Sequence, residues 1–286
     1  MCLASGDVKI ASFLQVSAVS AVLVGLLAPP SGAAVPPPVT RDPECAAALV
    51  ERLGAVDVLG CDPSGRGRAV LALGDLATAG HVAVLVPGSD IDLGTLADPD
   101  DPQRRPFGWA RSLADAGGAD LAVVLWVGYE TPRGLGVDAA TGRLARAGAG
   151  ALTRFVDDLR AELSPGTRLT VVGHSYGAVV TALAADDLAA DDLVLLGSPG
   201  ARAGTVAELG TTARVWAART DGDWTAWLPA VRLGDVGHGT DPTSPGFGAR
   251  PLPTGGTSGH DGYFRPGSAA LTGLVDVCLD RPEETR

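Results

Sequence analysis

Lysine is nearly missing from this chain: Lys9 is the only one among 22 basic residues, which face 33 acidic ones and leave a formal net charge of −11. A single lysine beside the N-terminus leaves no amine for Schiff-base chemistry and none for a phosphate-cradling loop of the Walker type. Clustered cations are scarce as well, so a phosphate-binding surface is not expected and nucleic acid is not an expected partner. Aromatic residues make up only 5% of the chain, and a core must be packed chiefly from alanine, valine and leucine. Neither Cys-x-x-Cys nor His-x-x-x-His occurs, which removes the usual spacings of a zinc site. No metal and no organic cofactor is expected. Glycine (39) and proline (21) are frequent but dispersed, unlike their use in collagen-like or low-complexity chains.

What is present begins with an ordered N-terminus. Lys9 precedes an apolar run from Ile10 to Leu27, followed by Pro29-Pro30 and the small residues Ser31-Gly32-Ala33-Ala34. That sequence of charge, apolar stretch and small residues has the layout of a secretory signal peptide, with cleavage expected near Ala34. An uncleaved anchor is the alternative, since the run could nearly span a bilayer; Gln15 and several serines weigh against it. The expected organisation is a leader over 1–34, a proline-rich extended linker over 35–44 and one domain over 45–286, secreted or held in the cell envelope without a stable membrane anchor. In an oxidising compartment Cys45, Cys61 and Cys278 allow three pairings. Cys45 and Cys61 lie closest in sequence and would staple the start of the mature chain, leaving Cys278 in the terminal helix.

Short apolar runs at 68–73, 81–86, 119–127, 168–173, 192–196 and 213–218 read as strands buried on both faces. Helical spacing marks 143–163, 177–188 and 268–279. Alternation of the two predicts a mainly parallel sheet with helices on both faces in a single α/β domain. Only 221–267, rich in Gly, Pro, Thr and Asp, resists assignment beyond a short strand near 249–252, and a long irregular stretch inside a compact domain is usually functional or disordered.

Gly173-His174-Ser175-Tyr176-Gly177 is a Gly-x-Ser-x-Gly pentad lying between a strand and a helix. That context suits a nucleophile elbow, in which a sharp turn projects the serine and the flanking glycines let the turn close. An acid and then a histidine should follow. Asp223 is the first choice for the acid, at the end of a strand, with Asp221 close behind. His260 precedes the last helix and is the expected base; His238 is the alternative, His81 lies at the far end of its strand, and His174 should point away from Ser175. Oxyanion donors are expected at the amides of Tyr176 and Ser89, the latter in the loop Val86-Pro87-Gly88-Ser89-Asp90. Trp224, Trp227 and Tyr129 are candidate walls of an apolar substrate pocket.

These stretches, together with Gly74-Asp75-Leu76-Ala77-Thr78-Ala79, Trp126-Val127-Gly128-Tyr129-Glu130-Thr131-Pro132, Gly197-Ser198-Pro199-Gly200, Asp241-Pro242 with Phe247-Gly248-Ala249, and Gly259-His260 with Tyr263-Phe264, resemble a family of bacterial α/β-hydrolases whose substrates are largely undefined. The resemblance spans about residues 58 to 279. It implies the α/β-hydrolase fold and a triad carried onto Ser175, Asp223 and His260; His238 is outside the family's pattern. Its members often carry an N-terminal domain where only a leader is expected here. The expected activity is cleavage of an acyl ester through an acyl-enzyme, acting on a small-molecule or lipid-like substrate. The alternatives are a peptidase or amidase with the same triad, or a secreted binding module that keeps the fold without turnover.

Overall fold

A computed structural model describes residues 33–281. The expected leader, 1–34, lies almost wholly outside them. Eight strands form one sheet in the order β1-β2-β4-β3-β5-β6-β7-β8. The strands are β1 (Asp57–Asp62), β2 (Arg68–Leu73), β3 (His81–Val86), β4 (Leu121–Val127), β5 (Arg168–His174), β6 (Asp192–Leu196), β7 (Arg214–Ala218) and β8 (Arg250–Pro251). The pairs β1/β2 and β2/β4 are antiparallel and all others parallel.

The uninterrupted apolar character of the central strands follows from burial on both sides. In β3, Val82, Val84 and Val86 enter one core while Ala83 and Leu85 enter the other; in β4, Val124 and Trp126 separate in the same way from Val123 and Leu125. The first core lies under α3 (Arg143–Glu162) and α4 (Tyr176–Ala184), the second under α1 (Pro43–Leu53), α2 (Pro106–Gly117) and α5 (Ala269–Cys278). Helices thus cover both faces of a single domain, as the alternation of patterns requires.

Among the longer elements α1, α2 and β1 go beyond the sequence expectations, as does the single helical turn Val137–Ala140 before α3. β1 reads Asp-Val-Leu-Gly-Cys-Asp at the sheet's edge, with its first residue exposed, so it lacks the apolar continuity of a central strand. The helix after Ser175 stops at Ala184 rather than running to 188, where Asp186 and Asp187 enter a turn closed by Asp187 N–H on Ala184 O.

The proline-rich segment is not a free linker. Arg68 holds Pro37 O at 2.7 Å, the N–H of Cys61 donates to Thr40 O at 2.9 Å, and Arg41 Nε–H donates to Val58 O at 2.8 Å. Its last residues, Pro43 and Glu44, already belong to α1, which Asp42 caps through the Cys45 N–H. A Cys45–Cys61 disulfide (Cα–Cα 5.8 Å) fastens α1 to β1, and Cys278 is a buried free thiol.

Asp192, the first residue of β6, is a buried carboxylate at the edge where the parallel strands begin. Arg214 donates to it twice at 2.7 Å, Trp216 Nε1–H once at 2.8 Å and Arg168 once at 3.1 Å. Arg214 also meets Asp280 at 2.6 Å, which draws the end of α5 into the cluster. Such an ion needs all of these donors, because a buried carboxylate without them is strongly destabilising. No helix among the described residues is long and apolar enough to cross a membrane.

Candidate active site

The opposite edge, where the parallel strands end, carries the chemistry-bearing side chains. β5 runs into Ser175, which adopts φ 56° and ψ −126° and caps the start of α4. This is a conformation an L-residue rarely adopts, and it is imposed by a turn with no space to relax. A Cβ at Gly177 would fall 2.1 Å from Val86 O, so only glycine lets the new helix pass the end of β3. Ser175 is 8% exposed and its N–H donates to Leu196 O at 2.9 Å.

That bond places the nucleophile candidate beside Gly197, which follows β6. Gly197 has φ 54°, and a Cβ there would lie 2.8 Å from Asp223 Oδ2, 3.0 Å from the Tyr263 hydroxyl and 3.2 Å from His260 Cε1. The glycine therefore leaves the space in which acid and histidine meet. His260 Nδ1 is 2.9 Å from Asp223 Oδ1. Thr225 donates its N–H (2.9 Å) and hydroxyl (2.7 Å) to the same oxygen, and the Tyr263 hydroxyl donates to Oδ2 at 2.5 Å. Asp223 is 1% exposed. Burial pushes its carboxyl up, but His260, Tyr263 and Thr225 outweigh that and hold it well below the ordinary carboxylate range. An ionised Asp223 can only accept, so His260 Nδ1 carries a proton, and in the neutral tautomer this leaves the lone pair on Nε2.

The loop that delivers His260 is latched to the loop of the acid. Thr220 Oγ1–H donates to Gly259 O at 2.6 Å and Gly259 N–H donates to Asp221 O at 2.8 Å. Asp221 is exposed and takes part through its backbone alone; of the two aspartates it is Asp223 that reaches His260. His238 is buried elsewhere, with Nε2–H on Ala139 O at 2.7 Å, and burial lowers it to about 4. His174, the residue before Ser175, donates Nε2–H to His260 O at 2.8 Å. Burial brings it down to about 3, so it is a neutral donor rather than a base.

The loop after β3 approaches the serine closely: a Cβ on Gly88 would sit 2.6 Å from Ser175 Cβ. The Asp90 N–H is engaged by Pro132 O, whereas the N–H groups of Ser89 and Tyr176 donate to no loop or side-chain acceptor among the described residues. Two of the expected pocket walls need correction. Tyr129 is buried against Trp126, and its hydroxyl donates to Pro87 O at 2.7 Å, so it braces the loop from below. It borders a crevice of about 450 Å³ with Arg66, Ile91, Asp92 and Thr131, none of which belongs to the Ser175 cluster. Trp227 is 76% exposed, its ring turned to water rather than buried in the site. Trp224 does reach the site, its ring 4.9 Å from that of His260. Sequence reasoning missed Tyr263 and Thr225 as partners of Asp223; the Gly259-His260…Tyr263-Phe264 pattern held the only trace of the former. Among the described residues no cluster of His, Cys, Asp or Glu could hold a metal ion.

The chain is 36% identical over 244 residues to an uncharacterized protein of Mycobacterium tuberculosis, covering 74% of this chain but 37% of that one. It is 34% identical over 149 residues to an uncharacterized protein of Mycobacterium bovis, covering 50% and 56%. The chain thus spans little more than a third to a half of the length of these relatives. Among solved structures it is similar to esterase PE8 (19% identity, 74% of this chain and 97% of that chain, TM-score 0.47). It is also similar to a Xanthomonas campestris protein described as an a/b serine hydrolase without lid (16% identity, 82% and 98%, TM-score 0.44). A family model described as alpha/beta hydrolase matches residues 62–233, more than half of the sequence and all of the segment from β2 to the acid loop. By that match the chain belongs to the alpha/beta hydrolase family.

Proposed function

We propose that this protein is a secreted serine hydrolase that cleaves acyl esters, with Ser175 as nucleophile, His260 as general base and Asp223 as the carboxylate that orients it. The observation that carries the reading is the hydrogen bond of His260 Nδ1 to the buried, ionised Asp223, held beside the strained Ser175. With Nδ1 protonated, Nε2 is free to take the Ser175 proton as Oγ adds to the ester carbonyl. The oxyanion forms where the Ser89 and Tyr176 N–H groups remain available as donors. Collapse of the tetrahedral adduct breaks the ester C–O bond, and the proton on Nε2 passes to the departing alkoxide. Water, deprotonated by the same nitrogen, then releases the acid from the acyl-serine. The Cys45–Cys61 disulfide supports an oxidising compartment.

A fluorescent fluorophosphonate tests the reading. Wild-type protein should be labelled, and Ser175→Ala and His260→Ala should not. A folded wild type that resists labelling, or labelling that survives Ser175→Ala, would overturn it.

A further inference from the structure

The segment that follows Asp223 connects the two halves of the site and is unusually apolar where it meets water. It starts at Trp224, against His260. It ends in a tight hairpin, Leu233 and Val236 exchanging backbone hydrogen bonds at 2.9 and 3.0 Å. This hairpin is fastened to the turn before α3. Val236 bridges to Thr141, Gly237 N–H donates to Ala140 O at 2.8 Å, and His238 holds Ala139 O. The same turn is gripped by the residue next to the nucleophile, since the Tyr176 hydroxyl donates to Thr141 O at 2.7 Å. One end of the segment is therefore anchored at the base and the other at the nucleophile.

Between those anchors Trp227, Leu228, Val231 and Leu233 are 76%, 39%, 62% and 68% exposed, and Leu135 on the neighbouring loop is 67% exposed. They make up five of the seven large hydrophobic residues exposed among the described residues. Both loops leave the C-terminal ends of strands, β4 and β7, so they stand at the same edge of the sheet as Ser175. Charge sets them apart too. Residues 132–137 and 224–236 contain one acidic residue, Asp235, which Arg146 and Arg202 pair, and one arginine each, Arg133 and Arg232, in a chain of net charge −11. Apolar tips with an indole and isolated cations, on an otherwise acidic molecule, fit insertion into an uncharged lipid surface. The face stands at the same sheet edge as Ser175, so an acyl-lipid surface seated on it would bring substrate to the rim that carries the serine.

We infer that Leu135, Trp227, Leu228, Val231 and Leu233 form the face by which the enzyme settles on the surface of a water-insoluble, uncharged acyl lipid, its substrate phase. The inference deepens the ester-hydrolase reading and rests on it for the identity of the substrate. Binding is tested apart from turnover, with full-length Ser175→Ala floated on trioleoylglycerol emulsion stabilised by phosphatidylcholine. It should float with the droplets, and Leu135→Ser/Val231→Ser/Leu233→Ser in the same background should partition about 10-fold less or weaker, the loss expected when apolar contacts worth one factor of ten are removed. In the active protein the triple variant should keep hydrolysis of a soluble short-chain ester and fluorophosphonate labelling within about 2-fold, while emulsion hydrolysis falls with binding. Failure of Ser175→Ala to float, equal flotation of the triple variant, or a concentration-dependent dimer that the triple variant abolishes would each overturn the surface. Loss of labelling in wild type with flotation intact would instead overturn the ester-hydrolase reading.

Discussion

His174 and His260 are joined by a 2.8 Å hydrogen bond in which the ring of the first holds the backbone carbonyl of the second. His174 is wedged between Trp109, 4.7 Å away edge-on, and the Tyr263 and Phe264 rings. The residue before Ser175 therefore fixes the loop that carries His260. His174→Ala should lower kcat for a soluble ester by about 10- to 100-fold with little change in KM, as a small displacement of a catalytic group does. His174→Gln, which keeps a donor, should recover part of it. Unchanged fluorophosphonate labelling rates in His174→Ala would show that the loop holds its place alone.

Acid should destabilise the fold well above the carboxylate range. His174 and His238 are neutral when buried, lowered to about 3 and about 4, while an unfolded histidine titrates near 6.5. Below ~6.5 the unfolded chain binds protons that the native state refuses, so stability falls as pH falls, by about 1.4 kcal/mol per pH unit for each histidine. The decline from His238 should continue to about pH 4 and that from His174 to about pH 3. Urea midpoints measured between pH 7 and 4.5 check this; His174→Gln should roughly halve the slope, and a flat profile would contradict it.

Tyr263→Phe removes a hydrogen bond to a buried carboxylate, which typically costs about 1.5–3 kcal/mol. Asp223 is depressed in the native state, so its contribution is present above the unfolded value near 3.9 and lost as pH falls toward the folded one. Wild type and variant should differ most at neutral pH and begin to converge only below about pH 4. Chemical denaturation across that range is the measurement, and a constant gap would assign the tyrosine to packing alone.

Gly197→Ala should damage activity more than stability. The left-handed backbone (φ 54°) costs an alanine about 1–2 kcal/mol. The added carbon would also press on Asp223, Tyr263 and His260 at 2.8–3.2 Å, and a misaligned base should reduce kcat/KM by about 10-fold or more. Wild-type labelling kinetics in a destabilised variant would show that the cluster has slack.

The central strands are legible in the sequence because burial on both faces leaves an unbroken apolar run, as in Val-Ala-Val-Leu-Val of β3. β1 is not, because an edge strand is half wet and this one carries Gly60 and two aspartates. α2 opens on Pro106 and owes its burial to Phe107, Trp109 and Leu113, whose partners lie far along the chain. In the candidate site, Ser175 is proposed from a local turn, and Asp223 and His260 from chain order. The supports around them do not, since Tyr263 and His174 gain meaning only from the residues they touch. Trp227 misleads for the opposite reason: its type suggests a pocket, but nothing in the sequence tells that the loop holds it out in water.

The Asp192 cluster lies at the edge where β5, β6 and β7 begin, and the Ser175 group lies where they end. Each strand is only five to seven residues long, yet the sheet between keeps the two groups from sharing a single side chain. The scaffold's keystone and its working rim can therefore drift independently. A change in a rim loop need not disturb the ion cluster that keeps the strands aligned beneath it.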